Sequence, residues 1–169
     1  MKKNGFTLVE LLAAIVILGV IMTIAVPNVI TTLENSRKDN YISDAKKFLS
    51  LVKSKVGSTI QKPDSDEILK VTLGCVDNGD VMEDPEGNNY DLDNSFVIVV
   101  KKDGELVYYV HLVAYNEAKT GNKGVYLVEK EDLDEIDARK HVRNDIALPT
   151  VSDIKNITGV NGIIRSCTD

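Results

Sequence analysis

The strongest limit on what this chain can become lies between Glu10 and Glu34. From Leu11 through Leu33 no side chain carries an ionisable group, and from Leu11 to Val26 the one strongly polar side chain is Thr23. A helix of about 23 such residues crosses a hydrocarbon core of about 30 Å. Lys2 and Lys3 precede the run and hold the N-terminus on the cytoplasmic side. Three readings compete. A secretory signal peptide would be cut near Thr23-Ile24-Ala25, but a carboxylate at the head of its apolar region and so long a run are foreign to it. A plain signal anchor accounts for the length and the lysines but not for Glu10. A short leader removed after Gly5 places Glu10 four residues beyond a new α-amine on Phe6.

The third reading has a physical logic. A carboxylate held in lipid or in a protein core without a partner is strongly unfavourable. The amine of Phe6 is the nearest cation, because the next basic residue is Arg37. On a helix, residues four apart share a face, so Phe6 and Glu10 can pair within one chain. They can equally pair between neighbouring, staggered helices, which turns an unfavourable charge into a register signal for assembly.

Gly5-Phe6-Thr7-Leu8-Val9-Glu10-Leu11-Leu12, followed by an apolar helix containing Pro27, resembles the N-terminus of type IV pilins. Type II secretion pseudopilins and competence filaments share this signature. The likeness covers about the first 30 residues; beyond them it extends to architecture only. It implies processing at Gly5 and Phe6 by a prepilin peptidase that also methylates the Phe6 amine. It implies that Glu10 and Phe6 are the assembly residues. It further implies a homopolymer with minor pilins, driven by an assembly machinery with an ATPase. The chain would sit in the bacterial cytoplasmic membrane as a single-pass protein before joining an extracellular filament.

Beyond Pro27, which removes a backbone bond and tends to kink a helix, the helix continues. Glu34 to Asn40 has no apolar residue and reads as solvated. Tyr41, Ile42, Ala45, Phe48, Leu49, Val52 and Val56 then recur at helical spacing as an amphipathic stripe that needs a partner layer. Gly57 is a candidate C-cap. From Phe6 to Gly57 the helix would span roughly 78 Å, far more than one small domain requires.

Val71, Leu73 and Cys75 alternate as a brief strand. Residues 77–95 are turn-rich and acidic and read as a surface connection. Phe96-Val97-Ile98-Val99-Val100 is a strand, and Asp103-Gly104 a hairpin turn. Leu106 to Tyr115 forms a second strand, with Leu106, Tyr108, Val110, Leu112 and Ala114 on one face and Val107, Tyr109, His111, Val113 and Tyr115 on the other. A turn from Asn116 to Gly124 leads to a third strand, Val125-Tyr126-Leu127-Val128. Glu131 to Lys140 reads as a short acidic helix with Leu133 and Ile136 inward. The rest divides into loops and a short strand at Ile163-Ile164.

The expected fold class is therefore α+β: a long N-terminal α-helix packed on a small antiparallel β-sheet. The expected divisions are a leader at 1–5, a transmembrane and filament-core helix at 6–30, and the amphipathic half of that helix at 31–57. A head at 58–169 completes the chain, with its sheet at about 95–129.

The formal charge of -6 becomes two units more negative if Lys2 and Lys3 are lost, so the chain lacks the basic footprint of a nucleic-acid binder. Catalysis has little support. His111 lies in a strand as a structural or surface residue, and His141 follows a charged segment and reads as solvated. Neither has a cysteine or serine partner at a recognisable spacing. No CxxC or HxxxH pair suggests a metal, and no motif suggests a cofactor. Asp80, Glu83, Asp84, Glu86, Asp91 and Asp93 offer oxygen ligands for calcium, but their spacing departs from an EF-hand loop. Asn156-Ile157-Thr158 fits a glycosylation sequon and is taken as chance. Cys75 and Cys167 suit either one disulfide in an oxidising compartment or two buried thiols; the pilin resemblance implies the disulfide.

These readings converge on a non-enzymatic filament subunit, a major pilin. A pseudopilin of a secretion or DNA-uptake system is the near alternative. A membrane-anchored monomeric domain binding a ligand through its acidic loop is the alternative of another class.

Overall fold

A computed structural model describes residues 7–76, 82–114 and 122–167. The chain divides into two compact units, Met1–Ser36 and Arg37–Asp169. Helix α1 runs from Leu8 to Lys55 with Pro27 inside it. Within the first unit every side chain from Thr7 to Glu34 is exposed, including large apolar ones such as Ile15, Ile24 and Leu33. The few polar side chains here satisfy themselves on the helix backbone. Thr23 Oγ1 donates to the Val20 carbonyl (2.7 Å), Asn28 to Ile24 (3.1 Å), Thr31 to Pro27 (3.1 Å) and Thr32 to Asn28 (2.8 Å). Such back-bonding lets hydroxyl and amide groups enter an apolar medium without loose donors.

In the second unit the sequence period turns amphipathic and one stripe of α1 is covered. Tyr41, Ala45, Phe48 and Val52 are fully buried, Leu49 nearly so. They pack on Val71, Val97, Val99, Val110, Leu112 and Val125 in one continuous core. Each such side chain contributes about 1.5–3 kcal/mol on leaving water. The helix ends at Lys55, whose carbonyl accepts from the amides of Ser58, Thr59 and Ile60. Gly57 follows with φ of 90°, a left-handed turn that suits glycine.

The partner layer is one sheet of six described strands: β1 (Glu67–Thr72), β2 (Phe96–Lys102), β3 (Glu105–Ala114), β4 (Lys123–Glu129), β5 (Val142–Arg143) and β6 (Ile163–Ser166). Their spatial order is β5-β4-β3-β2-β1-β6, antiparallel except for the parallel pair β1 and β6. The three central strands of the sequence reading are present, and the Asp103-Gly104 turn takes positive φ at both residues (50° and 87°), as a tight hairpin of right-handed twist requires. The alternation on β3 also holds: Val110, Leu112 and Ala114 face α1, while Val107 and Tyr109 join a second cluster with Ile68, Phe96, Ile98 and Leu127.

Several expectations are corrected. The strand placed at Val71, Leu73 and Cys75 lies earlier and ends at Thr72, because Leu73–Val76 turns into a short helix, α2. The expected helix over 131–140 is split into α3 (Lys130–Leu133) and a 3-10 turn (Ala138–His141). Leu133 is buried, but Ile136 lies fully outside. The interval between them is too short for both to share one helical face once the helix has stopped. The segment read as loops contains helix α4 (Val151–Thr158). Thr150 and Asp153 form a reciprocal capping box at its start, and Gly159 closes it at φ of 70°. Ile154 from α4 covers the second sheet face, so both faces carry a core. The Asn116–Gly121 part of the expected turn lies outside the described residues.

Leu133→Ala should lower the unfolding free energy by about 2–5 kcal/mol, whereas Ile136→Ser should change it by less than about 0.5 kcal/mol. Urea unfolding followed by tyrosine circular dichroism checks the pair; equal losses would contradict this placement.

Candidate functional site

Two of the expected site residues, Gly5 and Phe6, lie outside the described residues. The third, Glu10, sits in the first turn of α1 and closes a motif that the sequence reading passed over. The backbone amide and the hydroxyl of Thr7 both donate to Glu10 Oε2, at 2.8 and 2.9 Å. The Glu10 amide donates back to Thr7 Oγ1 at 3.3 Å. This is a capping box: Thr7 and Glu10, three apart, satisfy orphan amides at the helix start. The signal was present as Thr-x-x-Glu before an apolar run. Among the described residues no hydrogen bond reaches Oε1, so the carboxylate holds the turn with one oxygen and presents the other.

Cys75 and Cys167, 92 positions apart in sequence, are joined in a disulfide with Cα atoms 6.5 Å apart. Thr72 Oγ1 donates to Cys75 Sγ at 3.3 Å, and the Cys167 amide donates to the Lys70 carbonyl at 3.1 Å. The tail is thereby tied to strand β1 covalently and through the backbone.

The acidic connection has a structural use. Asp84 is buried and accepts from the amides of Glu86 (2.9 Å) and Asn88 (2.7 Å) and from the Tyr41 hydroxyl (2.8 Å). Burial pushes its carboxyl upward, but these donors, the Asn88 amide foremost, hold it below the usual aspartate range. Tyr90 donates to Asp44 Oδ2 at 3.1 Å, and the rings of Tyr41 and Tyr90 meet edge to face at 6.2 Å. The two Tyr–Asp pairs pin residues 84–90 to the buried side of α1. Burial, then the neighbouring aspartates, raise both phenols. Glu86 pairs with Arg37 and Lys123, and Asp91 Oδ1 accepts from the amides of Asp93 and Asn94. Among the described residues no three His, Cys, Asp or Glu side chains come together as a metal site; Asp80 lies outside them.

The histidines differ from expectation in one case. His111 is completely buried on β3, a structural position. His141, read as solvated, is only half-buried toward solvent, and its Nε2 is enclosed without a hydrogen-bond partner among the described residues. It ends the 3-10 turn, which folds the ring back against β4.

Because the Cys75–Cys167 bridge closes so long a segment, Cys167→Ser should cost about 2–4 kcal/mol of stability. Urea midpoints with and without reductant check this: reductant should shift the parent midpoint and leave the variant unmoved.

A family model described as the prokaryotic N-terminal methylation motif matches residues 1–26. No curated protein and no solved structure matches the chain. The α+β arrangement, a long N-terminal helix with a mostly antiparallel six-stranded sheet, is consistent with the pilin fold. Residues 1–26 carry the leader signature of type IV pilins and prepilins.

Proposed function

We propose that this chain is a major pilin, a structural subunit that polymerises through its N-terminal helix into a surface filament. In this reading prepilin peptidase removes residues 1–5 and methylates the amine of Phe6. Residues 6–30 then serve first as a membrane anchor and later as filament core. Residues 31–57 join that core to the head, and residues 58–169 form the outer surface.

The observation that carries this reading is the coincidence of the methylation motif with a helix exposed at every position from Thr7 to Glu34. Among the described residues, α1 is the helix long and apolar enough to cross a membrane. Monomeric soluble domains rarely leave so large an apolar surface uncovered. Lipid covers it before assembly, and neighbouring copies of the same helix cover it afterwards. Since both states bury the apolar side chains, hydrophobic burial alone gives little drive from one to the other. An external motor is the consequence, together with minor pilins and an assembly machinery as partners.

Glu10 is the register device. Its Oε2 is engaged by Thr7, and no hydrogen bond among the described residues reaches its Oε1. A Phe6 amine from a neighbouring, axially shifted helix neutralises it inside the apolar core, where an unpaired carboxylate is disallowed energetically. Glu10→Gln keeps an oxygen acceptor for Thr7 but removes the charge. This variant should be cleaved and inserted normally yet form few or no filaments, at least tenfold below the parent by electron microscopy of sheared material. Normal filament yield would overturn the charge-pair role. Long filaments built from the parent chain support the major-pilin reading; a chain confined to short membrane-associated assemblies would overturn it in favour of a pseudopilin.

A further inference from the structure

We propose that His111 is an acid-sensitive lock in the head: a fully enclosed imidazole without hydrogen-bond partners among the described residues, placed beside a break in the sheet, so that proton uptake requires the head to open. The inference is independent of filament assembly and rests on the geometry around β3 and β4.

Both ring nitrogens of His111 are buried, and neither has a partner among the described residues. The ring lies between Phe96 of β2, at 5.0 Å and tilted, and Tyr126 of β4, at 5.6 Å and edge-on. Both of these rings already carry a cation. Lys70 Nζ of β1 is 4.4 Å from the Phe96 ring centre, and the Arg143 guanidinium of β5 is 5.5 Å from that of Tyr126. An imidazolium here would turn the one acceptor nitrogen into a second N–H donor, and neither donor has a receiver among the described residues. Its rings already serve other cations, and Lys70 repels it. An unpaired buried charge of this kind is strongly unfavourable.

The site also coincides with the irregular part of the sheet. Val110 pairs with Val128 and Leu112 with Val125, so β4 carries one residue more than β3 across from His111. This is a β-bulge. Leu127 within it has φ of 41°, in the left-handed region that a branched side chain rarely adopts. The bulge places Tyr126 and Leu127 in succession on the side of the second cluster, while Val125 and Val128 face α1. The enclosure around His111 therefore depends on a strained segment with an interrupted ladder.

Burial, and secondarily Lys70, pull the His111 imidazole down from 6.5 to about 4. The sign follows from linkage. Between about pH 6.5 and pH 4 the unfolded chain takes up a proton that the folded head refuses. Stability is complete above pH 6.5 and is lost as pH falls toward 4, the unfolding equilibrium constant rising by up to tenfold per pH unit.

The test uses the full chain in detergent micelles, with urea unfolding followed by tyrosine circular dichroism from pH 7.5 to 4.5. This window lies above the titration of Asp84. Relative to His111→Leu, an apolar replacement of similar size, the parent's unfolding constant should rise roughly fortyfold between pH 6.5 and 4.5. Parallel pH dependence of the two proteins would overturn the proposal. A second readout needs no variant at position 111. In the chain labelled with ¹³C-histidine, with His141→Gln used for assignment, the folded-state His111 signal should remain that of a neutral imidazole down to pH 5. A titration centred near pH 6.5 with the fold intact would equally overturn it.

Discussion

The head depends on one stripe of α1. Tyr41, Ala45, Phe48, Leu49 and Val52 present an apolar ridge at helical spacing, and the sheet exists as a stable layer because that ridge covers its face. The same helix between Leu8 and Leu33 is apolar on every side, so no single layer could cover it. The change from all-round to one-sided hydrophobicity, across the polar stretch Glu34 to Asn40, separates two kinds of burial. One is completed within the chain. The other needs a medium or other molecules.

Much of this was legible in the sequence because the signals were local and periodic. The helix stripe, the β-branched run at Phe96 to Val100, the Asp103-Gly104 turn and the two faces of β3 each follow from spacing of 3.6 or 2. The failures have equally local causes. Strict alternation cannot anticipate the β4 bulge, which sets Tyr126 and Leu127 together on one side. A pattern with Leu133 and Ile136 three apart looks helical even though α3 stops at Leu133 and leaves Ile136 in water. Helix α4 falls where the sequence reads as loops, because Pro149, Gly159 and Gly162 punctuate the segment as turns do, although Thr150, Asp153 and Gly159 spell out its two caps. The β1–β6 pair brings together residues about 96 positions apart, which no local pattern encodes.

The N-terminal methylation motif was legible in the sequence, while the hydrogen bonding of its glutamate was not. Glu10 stood out as a carboxylate out of place. Its partnership with Thr7 makes it also the closing residue of a helix cap. In the proposed assembly role a neighbour's amine would meet the oxygen that Thr7 does not engage. A carboxylate already oriented by its own helix start loses less side-chain freedom when a neighbour's amine arrives. The acidic connection shows the reverse case. Residues that resembled a cation site hold a turn and two tyrosines, with Asp84 buried at the centre.

In the proposed function Gly5 and Phe6 mark the boundary between leader and mature subunit. Mass spectrometry of the chain purified from its own membrane tests this most directly. The predicted result is a mature N-terminus at Phe6 bearing one methyl group on its amine, with α1 retained in full. A chain beginning at Val26, or one keeping residues 1–5, would contradict the account.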